Sequence, residues 1–216
     1  MAQKKEENHT TEKNIIHNET TVKALPPMVA EPAALGLFGL AVAALVLAST
    51  DLKLASGTVK SLMIPWVLFF GATAQLIAGA MEFKRYNIFG ATVFSVYAMT
   101  MYSIALTLFL TIFTGVKFDI THYAYGLIGI LVFSLIATVA SLMTNKVLFA
   151  ILIAVDLAVF LLIPHYLYEM SSQPAGVFLL ITSVLSFYAA AAILINTMAN
   201  KTVLPLGKAL WSPAKK

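Results

Sequence analysis

Six apolar stretches occupy most of the chain between residues 33 and 197, and each approaches the roughly 20 residues that a helix needs to cross a bilayer. They run about 33–50, 62–82, 88–114, 124–143, 147–168 and 175–197. Charged and turn-forming residues fill the breaks: Asp51 to Lys60, Glu82 to Arg85, Lys117 to Asp119, Thr144 to Lys146, and Glu169 to Pro174. The expected fold is an all-α integral membrane protein of six transmembrane helices. Near the end of the fifth stretch, Pro164-His165 is expected to kink or stop the helix.

Composition supports a lipid-covered body. Residues are 60% hydrophobic and only 11% charged, with a mean hydropathy of +0.87, where a soluble domain carries about a quarter charged residues. Nine of the 24 charged residues fall in the first 31 positions, so fifteen serve the other 185. Residues 1–30 are polar, of mixed charge, and contain Pro26-Pro27, which reads as a disordered N-terminal tail. They lack the short apolar core of a cleavable leader. Residues 31–208 form the expected six-helix transmembrane domain, and 209–216 a C-terminal tail.

The net charge of +4 reads as topogenic lysine and arginine flanking the spans, with no nucleic-acid partner. With the N-terminus inside, eleven Lys and Arg lie on the cytoplasmic side and three outside. Both termini are therefore expected in the cytoplasm of a multi-pass cell-membrane protein. The Asn-x-Thr triplets at Asn8 and Asn18 are then on the wrong side for glycosylation.

Little catalytic chemistry is available. Without cysteine there is no disulfide, thiolate nucleophile or Cys-ligated metal. The histidines are His9, His17, His122 and His165, with no second ligand at metal spacing. No span has a mid-span lysine for a retinal-type linkage. No enzyme, metal or cofactor is expected. The one charged residue deep in a span is Asp156, either a functional carboxyl or one that ties two helices together. Glu82 ends the second stretch beside Lys84 and Arg85, where it either pairs at the interface or sits at a pore mouth. Thr73, Gln75, Tyr97, Thr138, Ser186 and Tyr188 are among the neutral polar residues in the spans, many of whose kind bond back to their own helix. Of these, Gln75 and Tyr97 most need partners. Small residues such as Gly36, Gly39 and Gly71 suit close helix packing or, less simply, a glycine-lined path. An anion crossing these spans meets no mid-span cation. Neutral donors and helix N-termini must attract it, or it crosses as the uncharged acid, which suits a small monocarboxylate better than a di- or tricarboxylate.

Three segments carry a family resemblance. Glu31-Pro-Ala-Ala-Leu-Gly-Leu37 resembles the opening signature Asn-Pro-Ala-Pro-Leu-Gly-Leu of the acetate uptake transporter family, whose bacterial members are called succinate–acetate permeases. Ala74 to Gly90, ending Glu82-Phe-Lys84-Arg-Tyr-Asn87-Ile-Phe89-Gly90, is similar to its second signature. Thr202-Val-Leu-Pro205-Leu-Gly207 resembles the closing one. The resemblance implies six-helix protomers, commonly hexameric, each conducting acetate as a channel or a proton-coupled permease.

It also implies a hydrophobic constriction of Phe, Tyr and Leu, which aligns with Leu40, Tyr97 and Val155; two of the three are smaller here. Candidate solute contacts are Glu31, Thr73, Gln75, Phe94, Ser186 and Tyr188, and candidate proton-coupling or structural residues are Asp156 and Glu82. Glu31 stands where the family has Asn, and either points away from the path or titrates and makes transport pH-sensitive. The competing reading is a membrane acetate sensor or partner-binding assembly protein that signals through its tail.

Overall fold

The computed structural model describes residues 29–54 and 61–212. The tail up to residue 28, with both Asn-x-Thr triplets, and the last four residues lie outside this description. The described residues from 31 onward form six helices long and apolar enough to cross a membrane: α1 Ala33–Asp51, α2 Met63–Lys84, α3 Ile88–Phe113, α4 Thr121–Ser141, α5 Lys146–Tyr168 and α6 Gln173–Ala199. Their limits fall within three residues of the apolar stretches in the sequence, and no strand is present among the described residues. At a rise of about 1.5 Å per residue, the shortest spans nearly 30 Å, the thickness of a hydrocarbon core.

Short connections make successive helices antiparallel, so the bundle has a Glu31 end and an Asp51 end. Around it α3 packs on α2, α2 on α1, α1 on α6, α6 on α5, and α5 on α4, while α3 and α4 touch sparsely. The seam between those two is an outward groove beside Gly126. A buried hydroxyl bond from Ser183 Oγ to the Ala41 carbonyl, 2.8 Å, ties α6 to α1.

Small residues set the close approaches. A Cβ on Gly36 would enter the Phe94 ring, and one on Gly39 would collide with the Phe70 carbonyl oxygen. The glycines of α1 thus serve packing against α3 and α2. Between Val67 and Ala74, α2 widens into a π-helical turn, where Thr73 Oγ1 reaches back to the Leu68 carbonyl at 2.9 Å.

The ends are closed by identifiable caps. After α2, the amides of Tyr86 and Asn87 bond to the carbonyls of Phe83 and Glu82, with Tyr86 left-handed at φ 58°. This is the Schellman arrangement, and it turns the chain directly into α3. Asn87 and Asn145 then cap α3 and α5, accepting from the amides of Gly90 at 3.2 Å and Leu148 at 2.9 Å. Ahead of α4, Thr121 gives both its hydroxyl and its amide to Asp119, which holds that carboxyl below the usual range. Helix α5 does not stop at Pro164: it runs on to Tyr168 and ends at left-handed Glu169. The proline lies within four residues of the end, so few ladder bonds remain to be lost.

After α6 the chain returns across the Glu31 end. Asn196 brackets it, accepting from the amides of Val203 and Leu204 and donating to the Leu204 carbonyl. Leu210 and Trp211 both donate to the Leu142 carbonyl at 2.9 Å. Gly39→Val is expected to lower stability by about 1–3 kcal/mol through overpacking against backbone, read as earlier thermal unfolding in detergent.

Candidate functional site

Two cavities lie along the bundle axis. The one at the Asp51 end has about 170 Å³ and is lined by Leu40, Met63, Tyr97, Thr100, Val155 and Thr182, among others. The one at the Glu31 end has about 220 Å³ and is lined by Leu37, Leu40, Glu82, Asn87, Phe94 and Asn145, among others. Leu40 and Tyr97 belong to both linings, and Val155 to the first. Leu40 of α1 and Tyr97 of α3 therefore stand where the cavities meet, with the buried Val155 of α5 in the wall of the first.

Tyr97 is held from behind. Its ring meets Phe133 edge-on, centroids 5.5 Å apart. Its hydroxyl lies 2.7 Å from Ser134 Oγ, which in turn donates to Asp156 Oδ1. A serine has one hydroxyl hydrogen, and Asp156 receives it, so the tyrosine must donate to the serine. Thr138 Oγ1 donates to the other carboxyl oxygen of Asp156 at 2.7 Å. Tyr97, Ser134, Thr138 and Asp156 are all buried, the carboxylate 6% exposed, and none makes an ion pair among the described residues. Asp156 ties α4 to α5 and is also one end of a hydroxyl chain that reaches Tyr97.

The Glu31-end cavity is built differently. The starts of α1, α3 and α5 reach it through Ala33, Asn87 and Asn145. Each start carries the positive end of a helix dipole, equivalent to about half a unit charge. Glu82 is also in the wall. Its Oε2 accepts from Asn87 Nδ2 at 3.0 Å, while Oε1 is buried without a hydrogen-bond partner among the described residues. A Cβ on Gly90 would strike both the Glu82 carboxyl and the Asn87 amide, which explains glycine at that position. Neither cavity lining includes lysine or arginine among the described residues.

Of the two readings of Glu82, the side chain lies in the cavity wall, while the ion pair of Arg85 goes to Glu31, at 2.7 Å. The turn at Tyr86 brings Asn87 back to Glu82. Glu31 also accepts from the Ala33 amide at 3.3 Å and is not part of the cavity wall. Of its two sequence readings, the structure supports the one that points it away from the path.

Other candidates are not brought to the cavities. Thr73 meets Tyr102 between α2 and α3 at 3.1 Å. Gln75 is fully buried and donates to the Gly71 carbonyl at 2.7 Å. Ser186 is buried on α6 with its hydroxyl unpartnered among the described residues. Tyr188 donates to the Pro205 carbonyl at 2.7 Å and so fastens the closing segment. None of the four lines either cavity. Phe94 does line the Glu31-end cavity, packed across Gly36.

Residues 18–208 match the sequence model of the GPR1/FUN34/yaaH family. The chain belongs to that family. This agrees with the resemblance read from the three signatures. The three signatures share a location: Ala33 and Leu37 of the first, Glu82, Asn87, Phe89 and Gly90 of the second, and Leu206 of the third border the Glu31-end cavity. No curated protein matches the chain by sequence. Among solved structures, "Structure of the bacterial acetate channel SatP" is similar at 24% identity and a TM-score of 0.76, covering 83% of this chain and 99% of that one. That likeness is one of fold.

Sequence reasoning missed Ser134, a small hydroxyl in an apolar span. The available signal was the spacing of Ser134, Thr138 and Ser141, which share one face of α4. It also left the helix-capping asparagines as loop residues. Two outcomes follow. Asn87→Ala removes a cap and the one donor to Glu82, and is expected to cost about 1–2 kcal/mol, seen as lower thermal stability. Glu31→Gln is expected to leave the pH profile of solute uptake unchanged, since Glu31 is bound to Arg85 outside the path.

Proposed function

We propose that the protein carries acetate and similar small monocarboxylates across the cell membrane, with Leu40, Tyr97 and Val155 as the constriction between two vestibules. The observation that carries this reading is the Glu31-end cavity, where three helix starts supply positive potential without a fixed cation. Such a site attracts one small negative charge weakly enough to release it. A dicarboxylate would need a second positive partner, and neither cavity wall has one. The fold shared with a bacterial acetate channel and membership of the family support the same reading.

Beyond the cavity, an apolar constriction favours the neutral acid or a carboxylate whose charge is balanced as it passes. Leu40 and Val155 are smaller than the phenylalanine and leucine implied by the family resemblance, which favours acceptance of acids somewhat larger than acetate. The excess of Lys and Arg supports cytoplasmic termini, making the Glu31-end cavity the inner vestibule. We further propose a homo-oligomer, a hexamer by family resemblance. The candidate proton-coupling residues are Asp156 and Glu82.

The test is uptake of labelled acetate into liposomes with and without an inward proton gradient, for wild type and Tyr97→Ala. Wild-type uptake well above empty liposomes is expected, with a changed rate in the variant. Accumulation that consumes the pH difference defines a coupled carrier, and uptake that only equilibrates defines a channel. No uptake by folded protein removes the acetate reading.

A further inference from the structure

The buried carboxylate has an asymmetric set of partners. Among the described residues Asp156 is bonded only to hydroxyls: Ser134 at Oδ1 and Thr138 at Oδ2. Thr138 leads no further, since among the described residues nothing donates to its hydroxyl oxygen. Ser134 leads on to Tyr97, which lines both cavities. The carboxylate itself borders neither cavity. Its one hydrogen-bonded connection to the path is through a serine and the constriction tyrosine.

Nothing else nearby competes for its proton. The only ionisable side chain on α6 is Tyr188, bound to the Pro205 carbonyl. On α4 they are His122, Tyr123 and Tyr125, all in the first turns, well away from Ser134 and Thr138. On α3 they are Tyr97 itself and Tyr102, which meets Thr73. Those of α5 other than Asp156 lie at its ends: Lys146, His165, Tyr166 and Tyr168.

We propose, building on the monocarboxylate reading, that Tyr97–Ser134–Asp156 is a proton relay in which Ser134 positions the tyrosine hydroxyl and passes its proton between Asp156 and an acid held at the constriction. The forward step balances as three hops. The acid's O–H bond breaks as its proton joins the Tyr97 oxygen. The former Tyr97 proton joins Ser134 Oγ, and the former Ser134 proton joins Asp156 Oδ1. The products are a carboxylate at the constriction and a neutral Asp156. Each hydroxyl keeps one hydrogen, but the chain's direction is reversed. Asp156 now donates to Ser134, Ser134 to Tyr97, and Tyr97 to the carboxylate it has just deprotonated. The same three hops in reverse return the proton when the solute leaves. Asp156 thereby stores a proton without contacting the solute, and Tyr97 changes from spectator to hydrogen-bond donor at the narrowest point.

The experiment pairs flux with infrared spectroscopy on the full chain in liposomes. Ser134→Ala should slow proton-driven uptake of acetate by about a hundredfold, the lower end for loss of a positioned proton-transfer group, while acetate exchange without a gradient persists. Ser141→Ala, which removes a buried hydroxyl bonded to the Thr138 carbonyl outside the relay, should behave as wild type. In difference spectra, the carboxylic-acid band that Asp156→Asn abolishes should respond to acetate in wild type and not in Ser134→Ala. Accumulation or an acetate-responsive band in Ser134→Ala equal to wild type overturns the relay, as does equilibrative wild-type uptake with a silent band. Acid titration without solute keeps this separate from the acetate reading. A wild type that carries no acetate, but whose Asp156 band is displaced by Ser134→Ala, retains the relay and loses the substrate. An undisplaced band removes the relay.

Discussion

Hydrocarbon offers a polar group no hydrogen-bond partner, and the bundle is arranged around where its polar groups find one. Backbone groups find theirs within each helix, which is why six spans are six helices. Many side chains do the same: Thr100, Ser103 and Thr182 each bond to the carbonyl four residues earlier on their own helix. The exceptions bond across helices, and those exceptions hold the tertiary structure: Ser183 to the α1 backbone, Thr73 to Tyr102, and the Tyr97–Ser134–Asp156–Thr138 chain across α3, α4 and α5. The last of these matters most, because the contact between α3 and α4 is otherwise sparse.

That chain also fixes what a solute meets. A tyrosine whose hydroxyl hydrogen is already given to Ser134 has none left for a solute, so Tyr97 meets the cavities as a ring and an acceptor oxygen. Electrostatic attraction is displaced to one end, where helix starts rather than side-chain cations supply it. A fixed lysine there would hold a carboxylate tightly and slow its release, whereas dipole ends attract it without a full charge. Glu82 sits in the same wall, so the positive potential at this mouth is partly offset. The three family signatures meet there because each ends or begins a helix, and the helix ends are gathered on that side of the bundle.

The spans were legible from hydropathy and break residues, because a bilayer imposes length and apolarity on every crossing segment. Tyr97 and Asp156 were legible as residues that need partners in an apolar setting, and Glu82 as a carboxyl too near a span to ignore. The partners themselves were not. Lys84 and Arg85 follow Glu82 in sequence, yet Arg85 makes its ion pair with Glu31, and the left-handed turn at Tyr86 brings Asn87 to Glu82. Ser186 and Gln75 looked like Tyr97 by composition, but their helix faces meet neighbouring helices instead of the cavities. Ser134 looked like any small hydroxyl in a span.

The sequence by itself determined that this chain crosses a membrane six times, that it has no cation inside its spans, and that its signatures place it in a family. Those properties are local or additive: hydropathy sums along a segment, and a motif is read in order. Only the tertiary structure decided that Leu40 and Tyr97 line both cavities with Val155 in the wall of one, and that Ser134 links Tyr97 to Asp156. It alone gathered three helix starts around one vestibule. Those relations join residues tens of positions apart on different helices. They depend on which face each helix turns inward, and that is settled by packing across the whole bundle at once.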